Sequence, residues 1–294
     1  MEISSGFTGT KLKTFRARVD PRMTMNYAAA INDNNPCYFD DRRENGLAAH
    51  PLFPVALTWK ITGNIWDFIE ADDFPMEALL TQIHHTEVIE HHRPLVPGDT
   101  LTIDGSIAAI LPHRAGTRVV IRYEAVNGIQ QPVFTEYCGA LLRGVRCTDG
   151  GRETGKLPDI PEPGDLPDPL WSTAIDIDPL RPYLYDGCTD IFFPIHTSPK
   201  FAKEVGLPGI ILQGTATLAF AMREIVNREA GREPTRIKMV SCRFTGMVLP
   251  GTCMIIHLLK RRDTPRGTAV FFEVHNSDGL KAVTGGYAVI ERKN

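Results

Sequence analysis

One histidine stands in a sequence context that suits acid or base chemistry. His196 follows Pro194 by two residues in the apolar stretch TDIFFPIHTSPKF, residues 189–201. Imidazole titrates near neutral pH, so this side chain could exchange a proton with a substrate. A single histidine in apolar surroundings is also often a hydrogen-bonded core residue. Both interpretations stay open at this point.

Carboxylates near similar proline-containing turns are the next candidates. Asp190 precedes His196 by six residues, and Asp186 lies four residues further back. In the first half, Asp33 lies in the stretch INDNNPCYFDD. An aspartate in such a turn is commonly solvated or tightens the turn through its own backbone. The carboxylates are therefore acid/base candidates with a structural alternative.

Two histidine doublets in HHTEVIEHHRP, residues 84–94, raise the question of a metal site. On a strand, His85 and His91 would share one face, and His84 and His92 the other face. Each pair is too far apart along the strand to hold one ion unaided. We expect no metal site and no cofactor.

Size and charge narrow the function classes. The chain has 294 residues, 43% of them hydrophobic, and a formal charge of −3. A chain of this length can bury one large or two ordinary cores. Nucleic acid and an anionic membrane are excluded as main partners because the chain carries no broad basic field. The N-terminus lacks a signal-peptide pattern, and six scattered cysteines argue for a reduced compartment, so we expect a cytoplasmic protein.

A change of composition divides the chain. Residues 147–182 are crowded with Pro, Gly and Asp, which disfavours both a helix and a full strand ladder. The segment is expected to be a linker between an N-terminal unit, 1–146, and a C-terminal unit, 183–294.

The two units share four sequence blocks in the same order. Pro36 aligns with Pro194 at an offset of 158 residues. Pro97 and Gly98 align with Pro250 and Gly251 at an offset of 153. Two later blocks, beginning at Gly116 and at Val133, follow at offsets of 151 and 149. This order predicts a duplicated domain.

Each unit has the same predicted elements. An apolar segment follows the proline turn, at 50–71 in the first unit and at 213–231 in the second. In the second unit, Leu218, Met222, Ile225 and Val226 recur at helical spacing, and Gly231 is placed to end the helix. Strands rich in β-branched and aromatic residues are predicted at 236–248, 252–262, 268–276 and 281–292. The expected class is α+β, with a long buried helix wrapped by an antiparallel sheet in each unit.

The second unit resembles the MaoC-like (R)-specific enoyl-CoA hydratases and dehydratases. The resemblance rests on PIHTSPKFAKEVGLPGIILQGTATLAFAMREIV and on RFTGMVLPGT, and the duplication resembles the double hot-dog members of that family. The family motif is Ser/Thr-Gly-Asp-x-Asn-Pro-x-His, with a His-Gly pair at the start of the central helix. Here Thr189, Pro194 and His196 match, while Asp190 replaces the glycine and Ile191 the catalytic aspartate.

The downstream pair and the first unit also depart from the family pattern. Gln213 and Gly214 stand where His-Gly is expected. In the first unit, Asp33 and Asn35 match the acid and the amide of the motif, and Tyr38 takes the place of the histidine. The resemblance implies that His196, Asp190 and Gly214 are catalytic, with Gly214 donating its amide to the thioester oxygen. Asp33 and Tyr38 are the alternative catalytic pair.

The function implied by the resemblance is reversible hydration of an enoyl-CoA thioester by a hydro-lyase. Phe192, Phe193, Gln213 and Arg243 are expected to bind the acyl-CoA substrate. Two alternatives remain, because the motif has diverged: an isomerase or cyclase that uses the same pocket, and a non-catalytic acyl-CoA-binding subunit. In the isomerase or cyclase alternative, Phe192 and Phe193 would shape a pocket that excludes water. The chain could form a homodimer or a hetero-oligomer.

Overall fold

The computed structural model describes residues 1–164 and 168–292. Most of its strands form one large antiparallel sheet with helices packed against it. The strands are β1 (Glu2–Ile3), β2 (Lys11–Arg18), β3 (Gln82–His91), β4 (Thr100–His113), β5 (Gly116–Asn127), β6 (Pro132–Arg143), β7 (Arg146–Cys147), β8 (Arg152–Glu153), β9 (Trp171–Asp176), β10 (Ile237–Phe244), β11 (Cys253–Thr264), β12 (Gly267–His275) and β13 (Lys281–Ile290). The helices are α1 (Pro21–Ala30), α2 (Phe53–Thr62), α3 (Ile65–Phe68), α4 (Arg181–Thr189), α5 (Pro199–Glu204) and α6 (Gly214–Glu229).

The order of the strands reflects the duplication. The main path of the sheet runs β2-β4-β5-β6-β3-β10-β13-β12-β11-β9, with β8 paired to β4, so the strands of each half are neighbours. The halves meet where β3 and β10 pair antiparallel, with Val88 opposite Ser241. This continuous sheet brings residues from both halves together at its centre.

A second contact joins equivalent residues of the two halves. The hydroxyls of Tyr27 in α1 and Tyr185 in α4 lie 3.0 Å apart, and both side chains are fully buried. The two tyrosines are 158 residues apart, the offset that aligns Pro36 with Pro194. Like residues of a repeat meet in this way when the halves are related by an approximate twofold axis.

The central helix of the second half forms as the sequence predicts. Near its end Asn227 is half-buried and Arg228 is exposed, whereas Leu218, Met222, Ile225 and Val226 have no exposed surface. Gly231, just beyond its end, has a φ of 64°, a left-handed conformation that glycine adopts readily. In the first half, the apolar segment is shorter: α2 ends at Thr62, and α3 begins at Ile65.

One expectation about the segment 147–182 is wrong. Trp171–Asp176 form β9, which pairs antiparallel with β11 at the edge of the sheet. Its side chains alternate between half-buried and exposed, as an edge strand requires, and it contains no proline. The proline-rich flanks hid this alternation. Residues 165–167 of the predicted linker lie outside the described residues.

The environment of the cysteines and the helix lengths are also defined. All six cysteines are free thiols, and three of them are buried.

Among the described residues, no helix combines the length and apolar character needed to cross a bilayer.

Candidate active site

Among the described residues, His196 has a hydrogen-bond partner at Nδ1 and none at Nε2. It ends the 3₁₀ turn Pro194–His196, which positions the half-buried ring. Its Nδ1 lies 2.8 Å from the carbonyl oxygen of Ile211. A carbonyl can only accept, so we assign the proton to Nδ1 and a lone pair to Nε2. Burial lowers the pKa of His196 to about 4, so the ring is neutral at pH 7.

A backbone clamp ties this histidine to the start of α6. The amide of Ile211 donates to the carbonyl of Ile195 at 3.3 Å, next to the bond from His196 to Ile211. Gly214, three residues after Ile211, is the first residue of α6. The loop that carries His196 is therefore fixed to the segment that leads into the helix.

The N-terminus of α6 offers free backbone donors. The amide of Thr217 makes the first helical bond, to the carbonyl of the N-cap residue Gln213 at 3.0 Å. The amides of Gly214, Thr215 and Ala216 therefore have no partner within the helix, and the helix dipole adds partial positive charge there. Such donors can stabilise an oxyanion.

Gly214 packs tightly, and Gln213 has a structural contact. A Cβ added at Gly214 would lie 3.1 Å from Cδ1 of Phe244, at the end of β10. Gln213 is buried and donates through Nε2 to the carbonyl of Pro182 at 2.9 Å, whereas its Oε1 has no partner. Gln213 thus braces the approach to α6 against the start of α4.

Asp190 points to a lysine of the first half. It caps α4 in a left-handed conformation, with φ of 57°. Its Oδ2 accepts a hydrogen bond from Nζ of Lys60 at 2.7 Å, and both side chains are partly exposed. Ile191, at the position where the family has its aspartate, is buried. The structure thus gives Asp190 a partner other than His196.

The predicted substrate-binding residues other than Gln213 lie at the surface. Phe192 is 56% exposed and Phe193 is 37% exposed, with the Phe193 ring packed edge-on against Phe201. Neither ring is closed off from solvent as the isomerase alternative expected. Arg243 is exposed and lies 3.3 Å from Glu162.

Arg243 belongs to a group of basic side chains on β3, β4, β5 and β10. His85 and His113 have ring centroids 5.6 Å apart. Burial lowers the pKa of His85, and the charges of His113, Arg118 and Arg243 lower it further. Nδ1 of His85 and Nε of Arg118 are buried without a hydrogen-bond partner. This basic patch could receive an anionic group.

The alternative pair in the first half lies in the interior. Asp33 is 2% exposed, and its Oδ1 accepts the amide of Asn35, while Tyr38 has no exposed surface. Burial raises the pKa of Asp33 and of Tyr38. Within the part of the chain that the structure describes, Oδ2 of Asp33, the Tyr38 hydroxyl and Nε2 of the neighbouring His50 are buried without partners. These polar groups therefore lie in the core, almost fully shielded from solvent.

Sequence reasoning missed several neighbours of the site. Lys60 and Phe244 come from distant parts of the chain, and Ile211 contributes only its backbone. His50 was also missed; its ring stacks on Tyr27 with a centroid distance of 5.3 Å. Its place just before the start of α2 was the local signal that could have pointed to His50.

A surface cavity of about 640 Å³ lies apart from these residues, near the other end of the β3–β10 seam. Lys238, Arg266 and Glu291 are among its lining residues, whereas His196 and Gly214 are not. The cavity is therefore not part of the candidate active site.

Comparison with protein families matches each half of the chain. Residues 173–278 match the MaoC like domain, and residues 6–136 match the FAS1-like dehydratase domain region. The second half of the chain therefore matches a MaoC like domain. This match confirms the resemblance found in the sequence of that half.

The chain is similar to curated proteins of a plant and of animals. It is 25% identical to the peroxisomal enoyl-CoA hydratase 2 of Arabidopsis thaliana over 261 residues, which cover 84% of this chain and 80% of that one. It is 25% identical over 274 residues to the peroxisomal multifunctional enzyme type 2 of Mus musculus. There the match covers 87% of this chain and 35% of the relative.

Solved structures confirm the predicted fold. A MaoC-like dehydratase from Phytophthora capsici superposes with a TM-score of 0.82 at 22% identity and covers 97% of both chains. A Mycobacterium tuberculosis protein described as having a double hot-dog fold superposes with a TM-score of 0.59 at 13% identity, covering 96% of this chain and 94% of the other. The chain therefore has the double hot-dog fold.

Proposed function

We propose that the protein is a hydro-lyase that reversibly adds water to the double bond of an enoyl-CoA thioester. The observation that carries the proposal is the clamp that fixes His196, with Nε2 free, beside the start of α6. The Arabidopsis relative, named an enoyl-CoA hydratase, supports the reaction class.

His196 is the acid/base group of the proposed reaction. Nε2 takes a proton from water as the water oxygen bonds to C3 of the enoyl group. The same proton, or one exchanged with it, then passes from the imidazolium to C2, so that one water is added and the ring returns to neutral. In this scheme Asp190 does not transfer protons, because its carboxylate is bound to Lys60.

The amide of Gly214 stabilises the enolate oxygen of the thioester in this scheme. That amide has no helical partner, and the end of the α6 dipole favours negative charge there. Phe244, which packs against Gly214, limits the space on one side of the donor. The thioester oxygen would therefore meet a fixed donor.

We assign the phosphates of coenzyme A to the basic patch that contains Arg243. The charges of His113, Arg118 and Arg243 all lower the pKa of His85. Among the described residues, Nδ1 of His85 and Nε of Arg118 lack hydrogen-bond partners. Phosphate oxygens accept hydrogen bonds from arginine in bidentate geometry. Phe244 follows Arg243 directly in β10, and successive side chains of a strand point to opposite faces. The patch therefore lies on one face of the end of β10, and Gly214, which packs against Phe244, lies on the other.

In this proposal the chain consists of an N-terminal repeat, 1–146, and a C-terminal repeat that carries the site; the second repeat, predicted as 183–294, also includes β9. The first repeat contributes Lys60 and the basic side chains on β3, β4 and β5, while Asp33 and Tyr38 stay inside its core. The cytoplasmic location remains a prediction; the two relatives above are named as peroxisomal.

One observation favours a second candidate, an isomerase or cyclase that uses the same pocket. Ile191 is buried where the family has an aspartate, so the site offers one acid/base group instead of two. A reaction that only moves a proton between carbons needs no second group to hold a water molecule. The exposure of Phe192 and Phe193 favours hydration, because water reaches both rings.

A substrate series tests the proposal. Purified protein is mixed with crotonyl-CoA, longer and aromatic enoyl-CoA esters, and the matching 3-hydroxyacyl-CoA esters, and the absorbance of the enoyl thioester is followed. Hydration of at least one ester is expected. Deuterium exchange at C2 or C4 without net hydration would indicate the isomerase, and binding without any turnover would indicate a non-catalytic subunit.

A further inference from the structure

Three possible metal ligands come together in the first half of the chain. Nε2 of His84, a carboxylate oxygen of Glu87 and Sγ of Cys138 all lie within 4.8 Å of one another. Nε2 of His84 is 2.9 Å from Oε2 of Glu87 and 3.7 Å from Sγ of Cys138. The group contains one nitrogen, one oxygen and one sulfur donor.

The pairing of two strands creates this cluster. Glu87 in β3 lies directly opposite Cys138 in β6, so their side chains share one face of the sheet. His84, three residues before Glu87, would face the other side of a regular strand. The register of β3 against β6 shifts between His84 and Thr86, and this irregularity turns His84 toward Glu87.

Glu87 lies in the interior, and among the described residues it has no lysine or arginine partner. Glu87 is 0% exposed, and its Oε1 has no hydrogen-bond partner. Glu136 is also buried, and its carboxyl oxygens accept from the hydroxyl of Thr58. Across residues 1–164 and 168–292, neither glutamate forms an ion pair with a lysine or arginine. A buried carboxylate without a positive partner is costly, so this geometry suits a cation.

We propose that His84, Glu87 and Cys138 bind a divalent metal ion of the zinc type. Tetrahedral zinc at its usual bond lengths places neighbouring N, O and S ligands about 3.3–3.7 Å apart. The 3.7 Å between His84 and Cys138 fits, the 2.9 Å between His84 and Glu87 is shorter than this range, and the contact of Glu87 with Cys138 lies within 4.8 Å. An ion would therefore draw the side chains apart on one edge by about 0.5 Å. A thiolate and an imidazole select zinc over magnesium or calcium.

The site has a path to solvent and a free coordination position. The side chain of His84 is 25% exposed, so an ion can enter beside it. Three protein ligands leave the fourth position of a tetrahedral ion for water. Binding requires the Cys138 thiol to lose its proton to solvent, so affinity rises with pH. The ion would link β3 to β6, independently of the proposed hydration.

Cobalt provides the direct test. The full chain is freed of metal with a chelator and titrated with Co²⁺, which reports a thiolate ligand through a charge-transfer band in the near ultraviolet. One equivalent should produce the band, and Zn²⁺ should displace it. Cys138→Ser should abolish the band, and His84→Gln and Glu87→Gln should each weaken binding at least about tenfold.

A matched cysteine serves as the control. Cys253 is also half-buried but lies in β11, next to the edge strand β9. The Cys253→Ser variant should keep the full band and affinity. Absence of the band from the wild-type chain would overturn the proposal without reference to any variant. An unchanged band in a folded Cys138→Ser chain, judged by circular dichroism, would do the same.

Discussion

Nδ1 of His196 donates a hydrogen bond to the carbonyl of Ile211 at 2.8 Å, and this contact fixes the side of the ring that can act as a base. Because Nδ1 carries the proton, the lone pair is on Nε2. The same loop is tied to Ile211 by a second, backbone hydrogen bond. The position and the tautomer of the histidine are therefore set before any substrate binds.

The pH dependence of kcat/KM should show a low acid limb. Burial lowers the pKa of His196 from 6.5 to about 4, and only the neutral ring can accept a proton. Activity on crotonyl-CoA should therefore persist as the pH falls below 6.5 and decline as it approaches about 4. Initial rates across this range, with circular dichroism at each pH, provide the measurement. A limb near 6.5 in a folded protein would contradict the assignment.

Removing the amide of Gly214 should slow hydration without unfolding the helix. Proline is tolerated at the first helical position, where no helical bond is lost, and the extended Gln213 suits a following proline. Gly214→Pro should lower kcat about 10²–10³-fold. Gly214→Ala, which keeps the amide but adds the same Cβ against Phe244, is the control. Equal rates in the two variants would remove Gly214 as the oxyanion donor.

Neutralising Asp190 should have little effect on the rate. Asn tolerates the left-handed backbone of this position, so Asp190→Asn keeps the cap of α4 and loses the charge paired with Lys60. The hydration rate should stay within about twofold, because the proposed scheme gives Asp190 no proton to transfer. A loss of about 10²-fold or more would instead establish the acid/base role predicted from the sequence.

The buried tyrosine pair should couple the two halves energetically. Tyr27→Phe leaves the hydroxyl of Tyr185 without this partner and should lower the free energy of unfolding by about 1–3 kcal/mol. Tyr27→Phe combined with Tyr185→Phe should cost less than the sum of the single changes. Urea unfolding of the four proteins measures this coupling. Strict additivity would show that the two hydroxyls do not interact.

Much of the fold could be predicted because its signals are local. Pro194, the helical spacing in α6 and Gly231 each act through neighbouring residues, and the four repeated blocks indicated the duplication. The strand β9 was missed because prolines on both sides masked a six-residue alternation. The break between α2 and α3 falls at Gly63 and Asn64, the C-cap of α2 and the N-cap of α3, and it was missed because residues 50–71 were treated as one apolar segment.

The site was less predictable because it depends on contacts between distant residues. Lys60 and Asp190 are 130 residues apart, so no local pattern could pair them. His84, Glu87 and Cys138 meet through strand pairing and one register shift, which sequence periodicity does not reveal. The prediction that no metal site exists followed from regular strand spacing and stays a prediction; the proposed zinc site departs from it.

The rate of crotonyl-CoA hydration by His196→Gln, compared with the wild-type chain, tests the central claim most directly. The change removes the acid/base group from a half-buried position and keeps a polar side chain of similar reach. The account predicts that kcat falls about 10²–10⁴-fold while the circular dichroism spectrum is unchanged. Hydration by the folded variant at the wild-type rate would contradict it.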